Sequence, residues 1–253
     1  MLATERHALI LERLDEKPTV SIRMLTEQLG VSRETIRKDI ELLAQDHKLE
    51  KIRGGATKIR TSELPIMRRS KLNIQGKSLI AQYLASQIPN GASLFLDNGS
   101  SVLALAQALS QHNNLMVYTN DLKVAEVIAP ATAELVIIGG RVDVTEMAVQ
   151  GIEALESVAR YRADFAIVSA GGISPSAFLT DFSREASSMR HLMLSQSQQP
   201  IILADSEKFG VVGHVVFGAP PKLTRIVTDI APDDAIKQLI QDKGYQLNVA
   251  AEM

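Results

Sequence analysis

Between residues 21 and 43 two helical patterns, each opened by a serine, meet across a single glycine, and this spacing constrains the fold more than any other feature of the chain. Ser21 is placed to cap a helix whose Ile22, Leu25 and Leu29 share one face, and Gly30 supplies the left-handed residue that closes it. Beyond a tight turn through Val31, Ser32 caps a further helix in which Ile36, Ile40 and Leu43 recur at i, i+4 and i+7 as one apolar stripe. A preceding helix is expected over residues 4–16, with Ala8, Leu11 and Leu14 facing inward and Lys17-Pro18 ending it. Three short helices, the last two joined by a glycine turn, make a helix-turn-helix.

The outward side of the third helix and its start carry Ser32, Arg33, Glu34, Thr35, Arg37 and Lys38, the mixture of cations and hydroxyls that reads base edges and phosphates. Residues 49–52 and 56–59 then read as two short strands around Arg53-Gly54-Gly55, a hairpin that forms a wing. From it Lys51, Arg53, Lys58 and Arg60 can reach phosphates, while Gly54 and Gly55 permit close backbone approach. The expected unit is a winged helix-turn-helix over 1–60 whose partner is double-stranded operator DNA; a charged, solvated protein-interaction module is the plainer alternative. Charge is distributed in the same sense, +4 over residues 1–71 and −6 over the remainder, although the whole chain carries only −2.

At 253 residues and 45% hydrophobic composition the chain has room for a second, larger domain. Residues 61–73 lack sustained periodicity and read as a linker to a domain spanning 74–253. There helical and strand patterns alternate: helix 77–88, strand 93–96, helix 101–110, strand 115–118, helix 121–129, strand 134–138, helix 152–158, strand 164–169, helix 184–196, strand 200–204, strand 225–228 and helix 233–242. Such repetition argues an α/β domain with a mostly parallel sheet covered on both faces, in which ligands bind at the carboxyl ends of the strands. Four strand ends carry suitable chemistry: Asp97-Asn98-Gly99-Ser100-Ser101, Thr119-Asn120, Gly139-Gly140-Arg141 and Ser169-Ala170-Gly171-Gly172. Each alone is an ordinary turn or cap; together they favour a site for a small anion on backbone N–H groups and hydroxyls. Lys77, Arg190 and Lys208 can pair either a phosphate or an internal carboxylate.

The run Leu25-Thr26-Glu27-Gln28-Leu29-Gly30-Val31-Ser32-Arg33-Glu34-Thr35-Ile36-Arg37-Lys38-Asp39-Ile40, followed by Arg53-Gly54-Gly55-Ala56, closely resembles the DNA-binding segment of the DeoR family of bacterial repressors. The resemblance continues through Lys77, Asp97, Gly99-Ser100-Ser101, Thr119-Asn120, Gly139-Gly140, Gly151, Glu185-Ala186, Asp205-Ser206-Glu207-Lys208-Phe209-Gly210 and Thr228-Asp229. It implies a sensing domain similar in fold to ribose-5-phosphate isomerase and glucosamine-6-phosphate deaminase. It further implies a phosphorylated sugar or polyol as effector, and DNA released when that effector binds. The expected effector-binding set is Lys77, Asp97, Gly99, Ser100, Ser101, Thr119, Asn120, Gly139, Gly140, Arg141, Gly171, Glu185 and Lys208. Two departures matter. The family's Gly-Thr-Thr is Gly99-Ser100-Ser101 here, which keeps the hydroxyls, and Gly171 stands where an acidic residue is common, which removes a candidate proton-transfer group.

A sugar-phosphate isomerase or deaminase with an appended DNA-binding domain is the competing reading, with Asp97, Asp181, Glu185 or Asp205 as the base it would require. No catalytic residue is expected on balance. The five histidines lack paired ligand spacing, there is no cysteine, and neither a P-loop nor a dinucleotide fingerprint occurs, so no metal or cofactor is expected. No apolar run is long enough for a membrane helix and the chain opens without a signal-type segment, giving the expectation of a cytoplasmic protein. A homodimer or homotetramer is expected, because paired recognition helices match two-fold operators.

Overall fold

The computed structural model describes residues 1–17, 19–46, 48–52, 54–58 and 63–252. The first unit contains α1 (Ala3–Glu16), β1 (Thr19–Ser21), α2 (Ile22–Leu29), α3 (Arg33–Gln45), β2 (Glu50–Ile52) and β3 (Gly55–Thr57). Ser21 and Ser32 cap α2 and α3 as their positions predict, accepting from the Met24 and Thr35 backbone N–H groups, and Gly30 closes α2 at φ 64°. Ile10, Leu14, Val20, Leu25, Ile36, Ile40, Leu43, Leu49 and Ala56 form a shared core. The inner face of α1 runs through Ile10 and Leu14 with Leu11 half-buried, whereas Ala8, expected inside, is exposed.

The hairpin has a third member that its own residues do not announce. β1 pairs with β3, giving the order β1-β3-β2, and the Ile22 N–H donates to the Gly54 carbonyl at 2.8 Å. Gly55 therefore lies within a strand instead of at the hairpin tip, and only glycine fits there because a Cβ would meet the Val20 carbonyl oxygen at 2.0 Å. Gly54, at φ 87°, takes the left-handed turn position. Arg53 and residues 59–62, and with them the expected domain boundary, lie outside the described residues.

The second unit holds α4 (Ile66–Arg69), α5 (Ile74–Ala85), β4 (Ser93–Leu96), α6 (Ser100–Leu109), β5 (Leu115–Thr119), α7 (Leu122–Ile128), β6 (Thr132–Ile137), β7 (Arg141–Asp143), β8 (Ala148–Gln150), α8 (Ile152–Val158), β9 (Ala163–Ser169), β10 (Gly172–Ser174), β11 (Phe178–Asp181), α9 (Arg184–Ser195), β12 (Ser197–Leu203), β13 (Val215–Val216), β14 (Arg225–Thr228), α10 (Asp234–Asp242) and β15 (Gln246–Val249). Seven strands form a parallel sheet in the order β15-β14-β12-β9-β4-β5-β6. Two apolar clusters cover its faces, one through Ile80, Leu84, Leu94, Leu105 and Leu109, the other through Phe95, Ala166, Val168, Met193 and Ile202. The chain proceeds outward from β4 to β6 on one side and from β9 to β15 on the other, so strand order reverses between β4 and β9. In open α/β sheets the ligand crevice lies at that switch point.

Residues 63–73, expected as a featureless linker, include the short helix α4 and bury Ile66 and Arg69. Asn73 then caps α5 and donates to Asp229 at the end of β14, which ties this segment to the carboxyl edge of the sheet. Among the described residues no helix is long and apolar enough to cross a membrane.

Candidate functional site

The face expected to meet DNA lies on α3. Ile36, Ile40 and Leu43 turn inward, leaving Ser32, Arg33, Glu34, Arg37 and Lys38 exposed and Thr35 half-buried. Arg37 pairs with an exposed neighbour, Glu34 at 3.5 Å, a pair too solvated to restrain it. Lys51 on β2 pairs with Glu41 of α3, both about half exposed, and Lys58 pairs with Asp15 of α1. What fixes α3 is Asp39, 3% exposed, which accepts from Arg6 through both oxygens (2.7 and 3.0 Å) and lies 3.0 Å from His7. Burial pushes the Asp39 carboxyl up, but the Arg6 and His7 bonds outweigh it and hold its pKa below the ordinary value. No periodic pattern marks this residue in advance.

At the β4–β9 switch point the chain leaves β4 through Asp97-Asn98-Gly99 and enters α6. Gly99 has φ 144°, and a Cβ there would lie 2.9 Å from Ser169 Oγ at the end of β9, so the glycine lets the two strand ends approach. Its N–H, with those of Lys123 and Val124, holds the Asp121 carboxylate, whose pKa burial nonetheless raises. Ser100 begins α6, with Ser101 buried behind it. Thr119 and Asn120 are buried at the end of β5; Thr119 Oγ1 accepts from the Asp121 N–H, and Asn120 donates to the Val149 carbonyl. One oxygen each of Asp97 and Asn120 is buried without a hydrogen-bond partner among the described residues.

Above these strand ends three cations gather around a small cavity of about 20 Å³ lined by Arg69, Leu72, Lys77, Ser100, Asp205, Glu207 and Lys208. Lys77 donates to the Arg69 and Leu72 carbonyls (2.7 and 2.6 Å) and lies 3.7 Å from Asp205; burial holds its pKa below the ordinary lysine value. Lys208 donates to Glu63 at 3.0 Å, and Arg69 bridges Glu63 (3.1 Å) and Glu146. Burial would raise the Glu63 carboxyl, yet Lys208 and Arg69 overcome it and bring the pKa down to about 2. Burial dominates at Glu146 and raises its pKa. Beneath, Arg190 bridges Asp97 (2.7 Å) and Asp181, all three essentially inaccessible. Burial keeps the Asp97 pKa raised in spite of this partner, and the two carboxylates raise that of Arg190.

The structure thus brings Lys77, Ser100 and Lys208 together around one cavity and stacks Asp97, Gly99, Ser101, Thr119 and Asn120 at adjoining strand ends. Asp97 is fully buried and paired with Arg190. Arg141 and Glu185 are 66% and 57% exposed, pair with each other at 3.6 Å and do not line the cavity. Gly140, at φ 150°, gives way to the Gln150 carbonyl, and Gly139 has open space beside it. Gly171 packs against Asp181 and Thr180, where a Cβ would meet Asp181 Cα at 2.8 Å. Sequence reasoning missed Glu63 and the Arg69 pairing because both lie in the segment expected to be a linker; the adjacent basic pair Arg68-Arg69 was the available signal. A larger cleft of about 530 Å³ lies between the two units, lined by Lys17, Thr19, Ile52, Pro175, Phe209, Gly210 and Ile236 among others. Among the described residues its lining carries one cation, Lys17, against Glu16, Glu207 and Asp233, which makes it a poorer receptor for a phosphate than the smaller cavity.

Two family models account for most of the chain: a DeoR-like helix-turn-helix domain matches residues 6–62, and the DeoR C terminal sensor domain matches 72–230. The chain belongs to the DeoR family. As a DeoR-type protein it is a DNA-binding transcriptional regulator with a C-terminal sensor domain. It is 30% identical to the glycerol-3-phosphate regulon repressor of Escherichia coli (strain K12) over 251 residues, 98% of this chain and all of that protein. It is 28% identical over 249 residues to the HTH-type transcriptional repressor CsqR of the same organism, covering 98% of this chain and 95% of that one. The regulator GolR of Listeria innocua is 27% identical over 253 residues, with 99% and 100% covered. Among solved structures, ribose 5-phosphate isomerase A from Methanocaldococcus jannaschii overlaps 54% of this DeoR-type chain and 55% of its own at a TM-score of 0.39 and 12% identity. The Pyrococcus horikoshii OT3 translation initiation factor eIF-2B overlaps 85% and 70% at 0.42 and 13%. Likeness at this level says nothing about what the sensor domain binds.

Proposed function

We propose that the chain represses genes of carbohydrate or polyol metabolism by binding operator DNA through α3 and the β2–β3 wing, and that a phosphorylated sugar or polyol entering at the β4–β9 switch point releases it. The supporting observation is the cluster of Arg69, Lys77, Lys208 and Ser100 at the N-terminus of α6, where cations, a hydroxyl and helix N–H groups face one cavity. The name of the E. coli glycerol-3-phosphate regulon repressor makes glycerol 3-phosphate the first compound to try.

Coupling between the sites has a short physical route. Lys208 faces the cavity, and two residues on, the Gly210 carbonyl accepts from Thr57 Oγ1 of β3. A ligand that shifts residues 205–210 alters the seat of the DNA-binding unit, with an effect limited to its differential affinity for the two placements. We place the protein in the cytoplasm, as a homodimer or homotetramer that presents two copies of α3 to a two-fold operator.

A catalytic role has little support. Of the four candidate bases, Asp97 and Asp181 are committed to Arg190, Asp205 caps the turn at Ser206 and faces Lys77, and Glu185 is on the surface.

The test is operator binding by fluorescence anisotropy at fixed salt, using DNA from upstream of the protein's own gene and a panel of glycerol 3-phosphate, fructose phosphates and ribose 5-phosphate. Ser100→Ala should bind DNA as the unaltered protein does while losing at least tenfold in ligand response. Equal loss of DNA affinity and ligand response would reject the cavity as the effector site, and turnover of a sugar phosphate would favour the enzyme reading.

A further inference from the structure

Glu63 lies five positions beyond Lys58 and so belongs to the segment that leaves the wing strand β3 for the sensor domain. Its carboxylate is seated among the sensor's own cations, 3.0 Å from Lys208 Nζ and 3.1 Å from Arg69, and is only 15% exposed. The cavity these cations share with Lys77 and Ser100 is about 20 Å³, room for roughly one water molecule and too little for a phosphate monoester. An anionic ligand therefore has to displace something, and the displaceable anion is identifiable. Asp205 is 2% exposed and bound by its cap to the turn at Ser206, and Glu146 holds Arg69 from the sensor's own β7–β8 connection. Glu207, also in the lining, has no salt bridge among the described residues. Lys208, by contrast, has Glu63 as its only salt-bridge partner among the described residues.

We propose that Glu63 is a resident counter-anion of the effector cradle, and that the phosphate of the effector displaces it, detaching the interdomain segment from the sensor domain. This rests on the cradle being the effector site. The carboxylate stands in for the phosphate, satisfying Lys208 and Arg69 while the cradle is empty. Ligand and segment exclude one another, so each lowers the apparent affinity of the other by the same factor. A chain whose seated state holds about nine-tenths of the population binds the anion roughly tenfold more weakly than one that cannot seat.

The experiment measures inorganic phosphate and glycerol 3-phosphate binding by calorimetry on the full chain and on the variants Glu63→Gln and Glu146→Gln. Backbone hydrogen exchange over residues 63–72 is followed in parallel, with and without phosphate. Displacement predicts that Glu63→Gln binds phosphate about tenfold tighter, that Glu146→Gln tightens it by clearly less, and that phosphate speeds exchange over 63–72 in the unaltered protein. Equal tightening by both variants would mean a general charge effect and overturn the proposal. Measurable phosphate binding with the same affinity in Glu63→Gln would overturn it while leaving the cradle intact, as would slower exchange over 63–72. If no protein binds either compound, both the proposal and the cradle assignment fall.

Discussion

Replacing Arg190 by methionine keeps much of its apolar stem but removes the charge between Asp97 and Asp181. In the structure the arginine side chain is 2% exposed and the two carboxylates are 0% and 1% exposed, so water cannot take its place without opening the domain. Removing one partner of a buried pair leaves an uncompensated charge at a cost of about 3–5 kcal/mol, a large share of the roughly 5–15 kcal/mol by which folded proteins are stable. The cost also acquires a pH dependence. With Arg190 absent the folded-state pKa of Asp97, which burial already raises, climbs further above its unfolded value, so the folded state binds more protons. Stability is then fullest at low pH and falls as pH rises, by about 1.4 kcal/mol per unit for each carboxyl that folds protonated. Urea unfolding followed by circular dichroism at pH 6, 7 and 8 measures both quantities. Adding Asp97→Asn to Arg190→Met should recover part of the loss, because an amide is far cheaper to bury than an unpaired carboxylate. A loss below about 1 kcal/mol at pH 7, or a deficit that stays flat between pH 6 and 8, would refute the view of Arg190 as the buried counter-charge of the switch point.

Three further outcomes are expected. Arg33→Ala and Arg37→Ala should each weaken operator binding by about 1–3 kcal/mol where the side chain reads a base and by less where it meets only phosphate, measured by anisotropy at fixed salt; unchanged affinity in both would remove α3 from the interface. Asp39→Asn should lower the thermal stability of the DNA-binding unit by about 1.5–3 kcal/mol through the weakened Arg6 pairing. Because the folded pKa of Asp39 is depressed, its contribution is present above the ordinary carboxylate pKa and disappears as pH falls below that value, so wild type and variant should converge in acid. Gly210→Val places a Cβ 2.7 Å from Thr19 Oγ1 on a residue held at φ 79°, and should change ligand-free DNA affinity measured by anisotropy; unchanged DNA affinity would remove this contact from the coupling route.

Much of the fold could be read in advance because buried parallel strands are continuous apolar runs and the helices between them have one inward face. The segment 225–228 and the helix over 152–158 occur where their patterns place them. Elements whose stability comes from distant pairing escaped. β1 is three residues long and exists because β3 lies beside it, 36 residues further on at Val20–Ala56. β10, β11 and β13 form a separate small antiparallel sheet whose members are likewise short. The site was legible to the extent that strand-end glycines and hydroxyls are local signals. Its electrostatics were not, since Arg190 meets Asp97 across 93 positions and Glu63 meets Lys208 across 145. A lysine or arginine looks the same in sequence whether its anion is a ligand or its own chain.

The order β1-β3-β2 has a bearing on how such a regulator can be switched. With β1, which leads directly into α2, hydrogen-bonded into the wing sheet, the hairpin is tied to the helices beside it, and under the proposed DNA-binding mode a ligand that moved the wing would move α3 with it. In the homodimer or homotetramer proposed above, the effector would act by changing the spacing or tilt between two whole reading heads. A paired assembly so built is a calliper: effector sensitivity becomes a property of the distance between operator half-sites. DNA carrying one half-site should be held weakly and with indifference to the effector, whereas inserting a few base pairs between half-sites should alter how strongly the effector acts.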